Sequence, residues 1–183
     1  MLRRNMLIWL VSLLALMGSL DLQAQVVIRN AQILDGSGAD AIVGDVLVSG
    51  SRIKAIGKVL KVPANTREIN ASGLVLAPGV IDLHSHSDRT IVKDSGRQNL
   101  NYLTQGVTSV LTGNCASGPV DVGAYYKKID RDSAGTNVLH LIPQGSVRRA
   151  ILKNENRPAS PAEIQRMVAL VDEGMRDGAW GMS

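Results

Sequence analysis

The sequence predicts an α/β protein: a strand-rich opening segment followed by a parallel α/β sheet or barrel. Three observations carry that expectation. Residues 26–77 read as short apolar strands separated by turn residues. From Pro78-Gly79 onward, apolar strand-like runs alternate with helix-like stretches, the pattern that parallel strands need because each return requires a crossover. The composition is globular, with 45% hydrophobic and 20% charged residues in 183. Aromatics are scarce and Phe is absent, so the core must be built mostly from Val, Ile, Leu and Ala.

The chain opens on a leader pattern. Arg3-Arg4 forms a basic start, Met6 to Met17 is an apolar run broken only by Ser12, and Gly18, Ser19 and Ala24 supply small residues near a cleavage point. The run is short for a membrane span of about 20 residues, so residues 1–24 are expected to be a signal peptide. An uncleaved N-terminal anchor is the alternative. The twin-arginine route has only weak support from the flanking residues, and no cysteine follows to carry a lipid. An exported protein, periplasmic or secreted, without a stable membrane anchor after cleavage is the expectation. A single cysteine excludes an internal disulfide framework. The formal charge of +4 is thinly spread, with Lys127-Lys128 and Arg148-Arg149 the only basic pairs after the leader. A nucleic-acid partner is therefore not expected, since that needs a clustered basic face.

The elements follow in order. Residues 25–77 are expected to form a β-domain. Val26-Val27-Ile28 runs on to Ile33-Leu34 before the turn Asp35-Gly36-Ser37-Gly38. Val46-Leu47-Val48 and Ile53-Lys54-Ala55-Ile56 flank a hairpin loop at Ser49-Gly50-Ser51, and Ile69 and Leu74-Val75-Leu76 complete the set. Residues 78–183 then read as three strand–helix units. Val80–Leu83 precedes a helical stretch near Gln98–Gln105, and Val107–Thr112 precedes a helix around Val122–Arg131. Val138–Ile142 precedes a helix that opens on Ser160-Pro161-Ala162-Glu163, with an N-cap serine, a proline at the first position and a capping-box glutamate. Ile164, Met167, Val168, Val171 and Met175 make an apolar stripe at helical spacing, read as core packing. Gly178 stops that helix, and Ala179–Ser183 reads as the start of a fourth strand.

The chemistry lies at the strand ends. His84 and His86 are two apart at the end of the first strand, so both imidazoles project from one face. At the C-terminal end of a barrel strand that face is the mouth, where active sites are built. Two convergent imidazoles suit a borderline-soft divalent ion such as zinc; two packing or surface histidines are the alternative. Cys115 follows the second strand in Thr112-Gly113-Asn114-Cys115-Ala116, at the same mouth. A thiolate is a strong zinc ligand. A buried structural cysteine is the other fate of a lone thiol, and a loop of Gly, Asn and Ser argues against it.

These residues carry a resemblance. Pro78-Gly79-Val80-Ile81-Asp82-Leu83-His84-Ser85-His86-Ser87-Asp88 resembles the first-strand signature of the amidohydrolase superfamily, and Val27–Gly36 resembles the opening of its N-terminal β-domain. Gly106–Val110 with Thr112-Gly113-Asn114-Cys115 resembles the N-acyl-D-amino-acid deacylase, or D-aminoacylase, family in particular. The stretch from Asn137-Val138 through Gly145-Ser146-Val147-Arg148, and then Arg157–Pro161, continues it.

The resemblance implies a fold: the N-terminal part of a (β/α)8 TIM-type barrel, preceded by a small, incomplete β-sandwich domain. It implies a zinc cofactor of one or two ions held by His84, His86 and Cys115. It also implies a small-molecule N-acyl amino acid substrate. Asp88 matches an acidic position just beyond the histidine pair that would orient a ligand; a plain loop aspartate is the alternative. Gln144 stands where many relatives carry histidine, at a turn that would contact substrate. Arg148 would pair with a substrate carboxylate or form a structural salt bridge, and His140 is expected in the wall of the sheet rather than at the metal. In the family the remaining histidine ligands lie on the fifth and sixth strands and the general base is an aspartate on the eighth, so no catalytic residue is assigned here.

A barrel of about 250 residues spends roughly 30 on each unit, so residues 79–183 hold three units and the start of a fourth. The expected protein is thus an N-terminal fragment of an exported deacylase, inactive by itself. Two other readings stay open. One is another amidohydrolase of dihydroorotase-like, hydantoinase-like or isoaspartyl-dipeptidase-like type. The other is a non-catalytic exported module that binds a metal or a partner.

Overall fold

The computed structural model describes residues 25–183, so the expected leader over residues 1–24 lies outside the described residues. Among the described residues no helix is long and apolar enough to cross a membrane. The chain divides into two compact units, one closing at Pro78 and the other opening at Gly79.

The first unit is a five-stranded sheet. Strands β1 (Gln25–Ile33), β2 (Ile42–Ser49) and β3 (Arg52–Gly57) form an antiparallel run, with Val27 opposite Leu47 and Leu47 opposite Ala55. The short strands β4 (Arg67–Asn70) and β5 (Val75–Leu76) share the other edge of β1, both parallel to it. Alternation along β1 and β2 turns Ala31, Ile33 and Val46 to one side, where they bury with Ala71 against Ile28, Val48 and Leu76. Each fully buried Val or Ile side chain contributes about 1.5–3 kcal/mol to folding. A bulge between Ile28 and Ala31 leaves Asn30 in the left-handed region. Its amide donates to the Asp45 carboxylate at 3.1 Å. Asp45 is buried, and it also accepts from the Leu60 amide at 3.0 Å and from the Arg29 guanidinium at 2.7 Å. The Leu60 amide above all, then the Arg29 bond, holds this carboxyl below the usual carboxylate range against the opposing cost of burial.

The second unit is a three-stranded parallel sheet in the order β6 (Val80–Asp82), β7 (Val107–Thr112), β8 (Asn137–His140). A 3-10 turn at Ser87–Arg89 and a one-turn helix α1 (Leu100–Leu103) lie between β6 and β7. Helix α2 (Val122–Asp132) lies between β7 and β8, and α3 (Gln144–Leu152) and α4 (Pro161–Arg176) follow β8. Two apolar clusters bind the layers. Ile91, Val110 and Tyr125 form one, while Val122, Ile142, Val147 and Ala179 form the other, with Met167, Leu170 and Val171 of α4 against it.

Several expectations are corrected by the structure. Helix α1 is shorter than the stretch Gln98–Gln105. Asn99 takes a left-handed conformation and spends its side chain on the Thr136 hydroxyl at 3.1 Å instead of capping the helix. Helix α3 was not expected; Pro143 and Gly145 read as turn residues, and no side chain caps its start. The stripe on α4 is only partly core. Met167 and Val171 pack inward, whereas Ile164, Val168 and Met175 stay nearly half exposed. After Gly178 the chain pairs in parallel with residues 140–144: Met182 bridges Ile142, the Trp180 amide donates to the His140 carbonyl at 2.9 Å and the Ser183 amide to the Ile142 carbonyl at 3.0 Å. The start of α4 matches its sequence signal: Ser160 Oγ accepts from the Glu163 amide, and the Glu163 carboxylate accepts from the Ser160 amide at 2.8 Å. Arg157 grips that same carboxylate with two bonds of 2.7 and 2.9 Å.

Candidate metal centre

The first two donors come from the continuation of β6. Beyond Asp82 the chain keeps its pairing with β7, the Ser85 amide donating to the Leu111 carbonyl at 2.9 Å. Alternation then decides the faces. Ser85 and Ser87 turn inward and are buried, their hydroxyls 2.8 Å apart, while His84 and His86 turn outward and are exposed. The two imidazoles meet edge to face with centroids 5.3 Å apart.

The third donor comes from the loop after β7. Gly113 has φ of 82°, and a Cβ there would lie 2.0 Å from the Leu141 carbonyl oxygen. Only glycine lets the chain cross so close to the end of β8. Asn114 Nδ2 donates back to the Leu111 carbonyl at 2.8 Å, and Cys115 and Ala116 then both adopt left-handed φ of 52° and 55°. This is the only consecutive non-glycine pair in that region among the described residues. Left-handed backbone costs an L-residue about 1–2 kcal/mol, so surrounding contacts must hold it. The result is that exposed Cys115 puts Sγ 3.3 Å from His84 Nε2.

One donor atom from each of His84, His86 and Cys115 lies within 4.8 Å of the others. A tetrahedral zinc ion with bonds of about 2.0–2.3 Å holds its donors roughly 3.3–3.8 Å apart. The His84–Cys115 separation falls at that spacing, and the widest pair needs only a side-chain adjustment. Two imidazoles and one thiolate are the nitrogen and sulfur donors that zinc prefers. The residues present therefore fit a zinc ion.

Asp88 is buried in the 3-10 turn, so it is not a solvent-facing loop residue. It does not belong to the donor cluster. Its carboxylate faces Gly118, where a Cβ would come within 3.1 Å of Oδ2. Beside it, His140 is fully buried in the wall of the sheet. His140 Nε2 lies 2.9 Å from the Pro119 carbonyl, which can only accept, so Nε2 carries the proton and Nδ1 accepts from the Thr112 hydroxyl at 2.8 Å. Burial lowers the pKa of His140, while the Pro119 bond and the Asp88 charge oppose that shift. Tyr125 packs on the His140 ring at 4.7 Å, and burial raises its phenol above the ordinary value.

Gln144 is exposed at the first position of α3, and its backbone N–H donates to the Ser183 carbonyl at 2.9 Å. The Arg148 guanidinium donates to the carbonyls of Glu155 and Arg157, at 3.3 and 2.6 Å, and ties down the α3–α4 connection. Sequence reasoning missed the contact of α3 with the cysteine loop. The Ser146 amide donates to the Ala116 carbonyl at 3.1 Å, and Ser146 Oγ accepts from the Gly118 amide at 3.2 Å. Its only trace in the sequence is the small pair Gly145-Ser146.

No family model matches the chain. An N-acyl-D-aspartate deacylase of Alcaligenes xylosoxydans xylosoxydans is 33% identical over 184 residues, which cover 88% of this chain and 36% of that protein. A crystal structure of D-aminoacylase, described as defining a novel subset of amidohydrolases, superposes with a TM-score of 0.77 at 28% identity, over 86% of this chain and 37% of that one. The chain belongs to the D-aminoacylase family of amidohydrolases. An N-acyl-D-glutamate deacylase from Bordetella bronchiseptica, solved with zinc and a phosphonate mimic of the tetrahedral intermediate, gives the same TM-score at 27% identity, over 87% of this chain and 38% of that one. Dihydroorotases of Geobacter metallireducens and Geotalea daltonii are each 33% identical, over 49% and 80% of this chain and 20% and 35% of those proteins. The chain spans about a third of the length of the deacylases it matches.

Proposed function

We propose that this chain carries the first ligands of the metal centre of a zinc-dependent hydrolase that cleaves N-acyl-D-amino acids into the acyl group and the free D-amino acid. The observation that carries the reading is the convergence of His84, His86 and Cys115 donor atoms within 4.8 Å at the ends of adjacent parallel strands. The deacylase relatives and the zinc in one of their structures support the substrate class and the metal. The same likeness supports reading the first unit as part of a β-sandwich and the second as the opening units of a TIM-type barrel. The leader pattern at residues 1–24 supports an exported location.

His84, His86 and Cys115 would hold the ion. When bound, zinc supplies Lewis acidity that polarises an amide carbonyl and lowers the pKa of water. The two imidazoles would each offer a ring nitrogen and Cys115 its sulfur, the donor types that zinc favours. Behind them the neutral His140, locked between Thr112 and Pro119, keeps the wall of the site rigid. The general base and further ligands are proposed to lie in the part of the relatives' length that this chain does not span, so residues 25–183 alone are expected to bind zinc without turnover.

The test is a zinc-dependent assay of the full-length gene product with N-acetyl-D-glutamate, N-acetyl-D-aspartate, N-acetyl-D-leucine and their L-enantiomers. Release of free D-amino acid that is lost in Cys115→Ala supports the reading. Hydrolysis of dihydroorotate instead, or no amide cleavage by the metal-loaded protein, overturns it.

A further inference from the structure

We propose that Ser146, with Gly145 beside it, is the positioning residue that holds the Cys115 thiolate toward the metal site; the proposal rests on the metal-centre reading above. The loop Gly113–Gly118 must keep Cys115 and Ala116 in consecutive left-handed conformations. L-residues leave that region unless something outside the loop fixes them. Ser146 does so at two points. Its amide donates to the carbonyl of Ala116, the residue directly after Cys115, at 3.1 Å. Its hydroxyl accepts from the amide of Gly118, where the loop ends, at 3.2 Å. One residue of α3 thus closes the loop on both sides of Ser117. Gly145 makes room for this approach, because a Cβ on it would lie 2.6 Å from the Ala116 carbonyl oxygen and 3.1 Å from the Ala116 Cβ. Released from Ser146, the Cys115–Ala116 pair relaxes toward ordinary backbone angles and carries Sγ away from His84.

The experiment titrates the full chain with cobalt(II) and reads two quantities. One is the thiolate-to-cobalt charge-transfer absorption; the other is the dissociation constant from chelator competition. Groups that orient metal ligands typically contribute about 10–100-fold to metal affinity, so Ser146→Ala and Gly145→Ala should each weaken cobalt binding by at least about tenfold and reduce the charge-transfer band. Ser146→Thr, which keeps the hydroxyl, should restore both. Val147→Ala removes a buried side chain of the same helix that does not bond to the loop. It should lower the unfolding midpoint while leaving cobalt affinity unchanged. Wild-type affinity and band in both Ser146→Ala and Gly145→Ala overturn the proposal. Equal weakening by Val147→Ala also overturns it, because the effect is then one of general stability. If Ser146→Ala does not fold, Gly145→Ala decides by the same criterion. A wild-type chain that binds no cobalt, or whose band survives Cys115→Ala, overturns the metal-centre reading itself.

Discussion

Cys115 Sγ lies 3.3 Å from His84 Nε2 although 31 residues separate them in the chain. The parallel pairing of β6 with β7 supplies the coarse approach, with Ile81 opposite Ser109 and Asp82 opposite Val110. The loop after β7 supplies the rest. Its weakest tolerance is at Gly113, where a positive φ and the Leu141 carbonyl both exclude a side chain. Gly113→Ala should destabilise the second unit by at least about 1–2 kcal/mol and also weaken zinc retention. Urea unfolding and a chelator competition measure the two effects together. Wild-type values in both contradict this account of the loop.

His140 makes stability depend on pH in a defined direction. Its folded pKa is depressed by burial, while the unfolded histidine titrates near about 6.5. Above that value neither state binds the proton and the stabilisation is complete. As pH falls below it, the unfolded chain takes up a proton that the folded chain refuses, so stability falls until the folded value is reached. The urea midpoint should decline from pH 7 to pH 5, and His140→Gln should decline less steeply over the same interval. Equal slopes in the two proteins contradict a buried neutral His140.

Asp45 contributes to the acid sensitivity of the first unit. Its carboxyl is held below the ordinary carboxylate range by the amide of Leu60 and by Arg29. The contribution is therefore complete above about pH 4 and is lost as pH falls through the folded value. Asp45→Asn should lower the thermal midpoint at pH 7 and lose part of the acid sensitivity, because the charge that Arg29 meets is gone. Thermal unfolding followed by circular dichroism at pH 7 and pH 3 tests both parts.

Much of this structure was legible in the sequence because it depends on neighbours along the chain. The spacing of His84 and His86, the glycine–asparagine loop carrying Cys115, and the Ser160–Glu163 capping box are all local patterns. They appear in the structure as an outward pair, an exposed thiol and a closed cap. What the sequence hid depends on partners distant along the chain. Helix α3 begins without a side-chain cap after Pro143, so its start carries no local signal. It closes instead through Val147 and Leu152, which are buried. The Arg148 side chain finds two carbonyls in the α3–α4 connection, a geometry that spacing does not encode. The parallel pairing of β4 and β5 to the same edge of β1 is equally non-local. The burial of Asp88 follows from Gly118 folding back against it.

His84, His86 and Cys115 are expected to act as one metal site. Zinc content after exhaustive dialysis, measured by plasma emission on the full chain and on His84→Ala, His86→Ala and Cys115→Ala, tests it most directly. Near-stoichiometric zinc is expected in the wild type and its loss in each variant, with all four proteins folded by circular dichroism. A wild-type chain that retains no zinc, or variants that retain as much as the wild type, would contradict it.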